Sequence, residues 1–233
     1  RLLLADFVNR TGDSTLGPSV TEALRVDLSQ SKVVRLLGSR EIAAARGRMQ
    51  LPPEAQTDEA VALELAKREG AKAVIAGEVA PLGGGFVLTA RVIETATGEE
   101  RVSVRETASD PEHLVAALDD LSASLRERVG ESLKSIRGSE PLERVATPSL
   151  EALRVYSTGV RSFEAGDYER AVPLFEQAIR ADSRFGMAWR KLSVTLGNLF
   201  TRRTEQLAAA RRAYQLRDRL PPVERYLSEA LYF

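Results

Sequence analysis

His113 is the chain's one histidine and therefore the first residue to consider for catalysis. Acid–base and nucleophilic catalysis usually combine a histidine with a carboxylate and a hydroxyl or thiol nucleophile. His113 stands beside Glu112 in the predicted first turn of a helix, and no nucleophile motif accompanies it. We therefore predict a surface histidine, with a functional base as the alternative.

Composition restricts the metal and cofactor chemistry of the chain. The absence of cysteine excludes disulfides, thiol catalysis, iron–sulfur clusters and thiolate zinc sites, and a single histidine excludes a multi-histidine metal site. The glycine run 83–85 has no Gly-Lys-Ser or Gly-Lys-Thr after it, and a strand pattern follows. We predict a hairpin turn at this run, no bound metal and no cofactor.

The loop from Asn9 to Asp13 is the remaining candidate for a small polar site. It follows a predicted strand and precedes a predicted helix, and α/β folds often bind ligands at the carboxyl ends of strands. Asn9, Thr11 and Asp13 would supply its polar groups. The alternative, which we favour, is an ordinary turn-rich loop, because these residue types also form turns.

Residues 1–138 mix strand and helix patterns and predict an α/β domain with a mixed sheet. Three strand-like segments between residues 72 and 104, separated by tight turns, predict an antiparallel meander. Asp110 and Pro111 form a helix start, and apolar residues at steps of three and four continue to Ile136. This spacing predicts one long helix that covers a face of the sheet.

A linker is predicted at residues 139–149, which hold glycine, serine and proline with little periodicity. From residue 150 onward the apolar spacing is helical. The predicted organisation is therefore an α/β domain over 1–138, this linker, and helical hairpins over 150–233.

The helical segment contains a repeat. Two predicted helices meet at Gly166, and Gly159 stands where they would have to approach closely. A second unit starts at Trp189, 34 residues after Val155, and a third begins at Pro221 and is cut short. The spacing resembles a tetratricopeptide (TPR) repeat, which implies a C-terminal α-solenoid of stacked hairpins.

Four segments of the N-terminal half carry a second resemblance. Phe7 to Asp13 with the helix after it, the strand segment 70–79, and the hairpin formed by 88–94 and 96–99 are similar to the TolB amino-terminal-like domain. Together with TPR repeats, this domain resembles the C-terminal half of bacterial serine/threonine kinases and one-component transcriptional regulators. The resemblance implies a sensory or scaffolding segment whose effector domain lies upstream.

A partner-binding groove is expected on the inner faces of the repeat helices. By spacing, its residues are Leu153, Tyr156, Val160, Phe163, Met187, Arg190 and Asn198. Residues 184–225 also hold ten basic and three acidic side chains. We call this region the basic arc. Besides Arg190, its residues are Lys191, Arg202, Arg203, Arg211 and Arg212. The arc would bind an acidic protein or peptide or remain a solvated face; nucleic acid is disfavoured because few aromatic residues interleave the arginines.

The sequence thus predicts a non-enzymatic sensory and protein-interaction segment of a larger bacterial signalling protein. The alternative is an envelope-assembly or secretion-complex component that docks through the α/β domain. No apolar run approaches the ~20 residues that span a bilayer, so no membrane insertion is expected in this segment. The compartment, cytoplasmic or extracytoplasmic, stays open, and so does oligomerisation.

Overall fold

A computed structural model describes residues 1–52 and 55–233 of the chain. These residues divide into two compact units, residues 1–140 (unit 1) and residues 141–233 (unit 2). Unit 1 combines a mixed sheet with helices, whereas the described elements of unit 2 are helical. The chain therefore has a mixed α/β fold with a helical C-terminal part.

Unit 1 is built on one sheet. Its strands are β1 (Leu2–Leu4), β2 (Val8–Asn9), β3 (Ala73–Leu82), β4 (Gly85–Glu94) and β5 (Glu100–Ala108). β1 and β2 both run parallel to β3, while β3, β4 and β5 are antiparallel neighbours. The predicted meander is confirmed, and the parallel pairing makes the sheet mixed.

Two positions in the sheet require glycine. Gly83 has a φ of +59° in the two-residue turn between β3 and β4, which confirms the predicted hairpin. A side chain at Gly77 would collide with the Thr89 carbonyl and the Phe7 ring. Because Gly77 has no side chain, Phe7 packs against the middle of β3 where the chain passes from β1 to β2.

The described residues of unit 1 contain five α-helices. They are α1 (Leu16–Leu28), α2 (Ser39–Arg48), α3 (Glu59–Arg68), α4 (Leu114–Arg128) and α5 (Leu133–Arg137). α4 packs on α1, β4 and β5, and α3 packs on β1 and β3. Leu3, Leu65, Val74 and Ile93 are buried in the core between α3 and the sheet.

The long helix predicted from Asp110 to Ile136 is wrong in its second half. Asp110 does cap the start, where residues 111–113 form one 3-10 turn before α4. α4 then ends at Arg128, and Gly130 has a φ of +95°. This left-handed residue reverses the chain, so the Glu131 amide donates to the Arg126 carbonyl at 2.9 Å.

Unit 2 consists of successive helices. They are α6 (Leu142–Val145), α7 (Leu150–Glu164), α8 (Tyr168–Ala181), α9 (Gly186–Asn198), α10 (Arg203–Gln215) and α11 (Pro222–Tyr232). From α7 onward each helix packs on the next, and α7 also contacts α9. Residues 139–149, predicted as an irregular linker, contain the short helix α6.

The α7–α8 hairpin depends on a close approach at Gly159. A β-carbon there would lie 2.8 Å from the Phe175 ring, so the predicted close contact of the two helices at this glycine is confirmed. In the α9–α10 hairpin, Ser193 is fully buried and donates to the Gln206 carbonyl at 2.9 Å. Trp189, half-buried on α9, donates from its indole nitrogen to the Ser183 carbonyl at 3.0 Å.

Candidate functional site

His113 lies in a cluster with Ser109 and Asp110. Its Nδ1 atom is 2.8 Å from both carboxylate oxygens of Asp110 and 3.2 Å from the Ser109 hydroxyl. A Ser–His–Asp catalytic arrangement places the hydroxyl and the carboxylate on opposite ring nitrogens. Because both groups here meet the same nitrogen, the cluster cannot relay the serine proton. The His113 side chain is 65% exposed, which confirms the predicted surface position.

The electrostatics of this cluster are those of an exposed ion pair. The hydrogen bond from His113 lowers the pKa of Asp110 to about 2 and, reciprocally, raises the pKa of His113. An open cleft of about 410 Å³ lies beside the ring. Its lining residues are Leu82, Thr107, Ala108, Ser109, His113, Ala116, Ala117 and Asp120. Within residues 1–52 and 55–233 no group of three metal-ligating side chains converges, in this cleft or elsewhere.

The structure brings Asn9, Thr11 and Asp13 together in one loop. The Asn9 Oδ1 atom accepts hydrogen bonds from the Thr11 amide (3.0 Å) and hydroxyl (2.7 Å), and its Nδ2 atom donates to the Asp13 carbonyl (2.6 Å). The Asp13 carboxylate accepts from the Thr15 amide at 2.9 Å. These bonds shape the turn that leads into α1, which is the geometry of the alternative we favoured.

The predicted groove is wrong for four of its residues, because their side chains lie inside unit 2. Leu153, Tyr156, Val160 and Met187 are each no more than 5% exposed. The Tyr156 ring packs 4.6 Å from that of Phe185. The apolar face of α7 is therefore covered by neighbouring helices of the same unit and leaves no groove at these positions.

The other three groove residues have separate environments. Arg190 is 8% exposed, and its Nε donates to the Glu224 carboxylate at 2.5 Å, which ties α9 to α11. Phe163 is half-buried, with the Lys191 ammonium 4.5 Å from its ring centroid. Asn198 is exposed at the end of α9. These residues do not form one surface.

The basic arc is also divided. Arg202 forms ion pairs with Glu176 (2.6 Å) and Glu205, and these carboxylates raise the pKa of the Arg202 guanidinium. Arg212 donates to Gln215 at 3.2 Å on its own helix. The positive charge of Arg202 is therefore already compensated by two carboxylates of unit 2.

Two further arginines of the arc, Arg203 and Arg211, lie on α10. Together with Leu207 and Ala208 they form a surface that we call the α10 strip. All four are exposed on one face of α10, at helical spacing. Leu207 is 52% exposed, and neither arginine forms an ion pair within the described residues. The sequence prediction missed Leu207, although its four-residue spacing from both arginines was the available signal.

A buried ion cluster in unit 1 was also missed. Arg126 is 2% exposed and contacts Glu131 through two hydrogen bonds, Nε to Oε2 at 3.0 Å and Nη2 to Oε1 at 2.9 Å. Its guanidinium also lies 3.7 Å from the Asp27 carboxylate and donates to the Ser139 hydroxyl at 2.8 Å. The cluster joins α1, α4 and the segment that ends unit 1.

The two carboxylates of this cluster respond in opposite directions. The bonds from Arg126 hold the pKa of Glu131 at about 2. Burial raises the pKa of Asp27 to about 6, despite the hydrogen bond from Ser122. None of these residues lines the cleft beside His113. We assign the cluster a structural role, in which Arg126 compensates the charge of buried carboxylates that would otherwise lack a partner.

Comparisons with known proteins are sparse. No family model and no curated protein matches the chain. Among solved structures, the LpoB C-terminal domain from Escherichia coli is 24% identical, with 47% of this chain and 82% of that one covered and a TM-score of 0.43. The LpoB C-terminal domain from Salmonella enterica is 22% identical, with 46% of this chain and 80% of that one covered and a TM-score of 0.41. A lipoprotein from Neisseria meningitidis is 15% identical, with 57% of this chain and 97% of that one covered and a TM-score of 0.40.

At these identities and TM-scores no function is carried over from the solved structures. The TolB-like and TPR resemblances stay predictions. Among the residues that the structure describes, no helix is long and apolar enough to cross a bilayer.

Proposed function

We propose that this chain is a non-catalytic protein-binding segment whose helical unit holds an acidic peptide or protein partner along the α10 strip. The observation that carries the proposal is the exposure of Leu207 between Arg203 and Arg211, neither of which has an ion-pair partner in the described residues. We further propose that unit 2 is a TPR-type solenoid and that the chain is part of a bacterial signalling protein.

The chemistry of the strip fits an amphipathic partner. An apolar side chain of the partner would cover Leu207, and two carboxylates one helical turn to either side would meet the guanidinium groups, which bind carboxylates in a bidentate manner. Exposed charge pairs of this kind are screened by salt within about 8 Å at physiological ionic strength. The binding should therefore weaken as salt rises.

A synthetic amphipathic peptide with leucine and glutamate on one helical face tests this site. Fluorescence anisotropy should show binding to the whole chain at about 50 mM salt and about tenfold weaker binding at about 300 mM. The same peptide with glutamine for glutamate should bind weakly at both. In the chain, the double variant Arg203→Glu/Arg211→Glu should lose the binding.

The matched control reverses Arg170 and Arg180, which are exposed on α8, to glutamate. It changes the net charge by the same amount and should retain the binding. If both double variants bind equally weakly, the peptide responds to overall charge and the strip is not a site.

A second candidate function is docking through the α/β unit, as an envelope-assembly component would. The observation that favours it is the edge of the sheet: among the described residues, β5 pairs with β4 alone. A partner strand could add to such an edge. A photo-crosslinking residue at Ser103 of β5 should then give adducts with an identified partner, whereas adducts from position 207 alone would favour the α10 strip.

A further inference from the structure

Strand β5 pairs with β4 alone among the described residues, and the register identifies the backbone groups at its other edge. The Arg10 amide donates to the Val79 carbonyl, so Val79 of β3 directs its backbone away from β4. Because hydrogen bonding alternates along antiparallel strands, Leu88, the partner of Val79 on β4, directs its backbone toward Glu106 of β5. The backbone N–H and C=O groups at the free edge are therefore those of Ser103, Arg105 and Thr107.

Helix α4 forms a wall beside this edge. Val104 and Ala108 of β5 are buried, and the Ser124 hydroxyl of α4 donates to the Glu106 carboxylate at 3.0 Å. α4 therefore covers the face of β5 that carries these side chains, whereas the alternate side chains of β5 are exposed on the other face. A strand added to the edge would lie along α4, with every second side chain turned toward the helix.

The cleft described above lies where α4 meets the end of β5. Its lining includes Thr107 and Ala108 of β5 and Ala116, Ala117 and Asp120 of α4. Because the alanines are small, they leave a space of about 410 Å³, which exceeds the volume of one long side chain. The cleft reaches Thr107 at the free edge, so a side chain of an added strand can enter it.

The charges beside the edge favour a basic side chain. The carboxylates of Asp120 and Glu106 form no ion pair within residues 1–52 and 55–233. His113 is the basic residue among those that line the cleft, and its ring is already paired with Asp110. The wall therefore presents uncompensated negative charge to a partner.

We infer that β5 and α4 bind an extended basic peptide, whose backbone pairs with the free edge and whose lysine or arginine enters the cleft toward Asp120. The inference rests on the second candidate function, docking through the α/β unit, and adds the chemistry of the partner. When a peptide adds a strand to a sheet, main-chain hydrogen bonds supply affinity and a pocket for alternate side chains supplies specificity. The inference is independent of the α10 strip.

NMR spectroscopy of the whole chain with the peptide Thr-Val-Thr-Lys-Thr-Val-Thr tests the inference. The alternation places the lysine and both valines on one face of the added strand. Titration should shift the amide signals of Ser103, Arg105 and Thr107 and slow their hydrogen exchange, because these N–H groups become bonded to the peptide. The same peptide with every backbone nitrogen methylated has no N–H donor and should not bind.

The charge preference has its own test. Glutamine in place of the peptide's lysine, or Asp120→Asn in the chain, should weaken binding about fivefold, as expected for a partly exposed ion pair. The matched control Asp218→Asn makes the same change at an exposed position of unit 2 and should leave the binding unchanged. Binding at the edge that is indifferent to these changes would overturn the inference of a basic partner while docking at β5 stands. If neither peptide shifts the edge amides, docking at β5 is overturned as well.

Discussion

The contacts inside unit 1 join residues that are far apart in sequence, whereas those inside unit 2 join residues that are closer in sequence. In unit 1, Leu2 pairs with Ala73, and Ser31 hydrogen-bonds Glu131, a hundred residues away. In unit 2, each helix from α7 onward packs mainly on the next one. Unit 1 therefore forms only when distant segments meet, whereas the contacts of unit 2 lie mainly between helices that follow one another in the chain.

The two units also differ in the kind of interaction at their internal contacts. The distant segments of unit 1 are joined in part by the buried charges of Arg126, Glu131 and Asp27. Unit 2 places small residues such as Gly159 where neighbouring helices touch. A substitution should therefore weaken the two units by different mechanisms.

The largest expected effect comes from removing the buried cation of unit 1. Arg126→Met leaves the carboxylates of Glu131 and Asp27 buried without it and should lower the free energy of unfolding of unit 1 by about 3–5 kcal/mol. Urea denaturation measures the loss, and hydrogen exchange should locate it in residues 1–140. Arg128→Met, at an exposed position on the same helix, is the control. A loss below about 1 kcal/mol would mean that the cluster does not stabilise unit 1.

A smaller effect is expected at the helix contact of unit 2. Gly159→Ala places a β-carbon 2.8 Å from the Phe175 ring and should cost unit 2 about 1–3 kcal/mol through overpacking. Thermal unfolding provides the measurement. Gly47→Ala, in α2 with no atom near its β-carbon, should instead be neutral or stabilising. Equal behaviour of the two variants would contradict the close approach.

The smallest expected effect is a dependence of unit 1 on pH. Burial raises the pKa of Asp27 from 3.8 to about 6, so the folded unit binds this proton more tightly than the unfolded chain. Its stability should then fall as pH rises from about 4 to about 6. Glu131, with a pKa lowered to about 2, acts oppositely and loses its contribution as pH falls below about 4.5.

Asp27→Asn tests this dependence, because it removes the titrating proton. Melting temperatures measured from about pH 5 to pH 7, where Glu131 is mostly ionised in both the folded and the unfolded chain, should fall in the wild-type chain and stay level in the variant. Parallel curves for the two proteins would show that Asp27 is not the group responsible.

Local patterns predicted a large part of the fold. The meander, the turn at Gly83 and the close contact at Gly159 all depend on residues near one another in sequence, so spacing was sufficient to find them. The break after α4 was missed because the apolar spacing continues through Gly130, and spacing alone does not show a reversal.

The candidate sites were harder to predict. Periodicity identified the apolar face of α7, but a buried face and a binding groove have the same pattern, and Tyr156 lies in the core. Arg126 was missed because Asp27 is far from it in sequence and Glu131 reaches it only through the reversal at Gly130, which apolar spacing does not show. Leu207 was overlooked because a single leucine between arginines carries little periodic signal.

Trp189 is the chain's one tryptophan, and it lies in unit 2, where its indole donates to the Ser183 carbonyl. Excitation at the red edge of the indole band therefore yields emission from unit 2 alone. Loss of that hydrogen bond and of the half-buried environment would shift the emission to longer wavelength. The molecule thus carries an intrinsic optical reporter that can follow the helical hairpins while circular dichroism follows the whole chain.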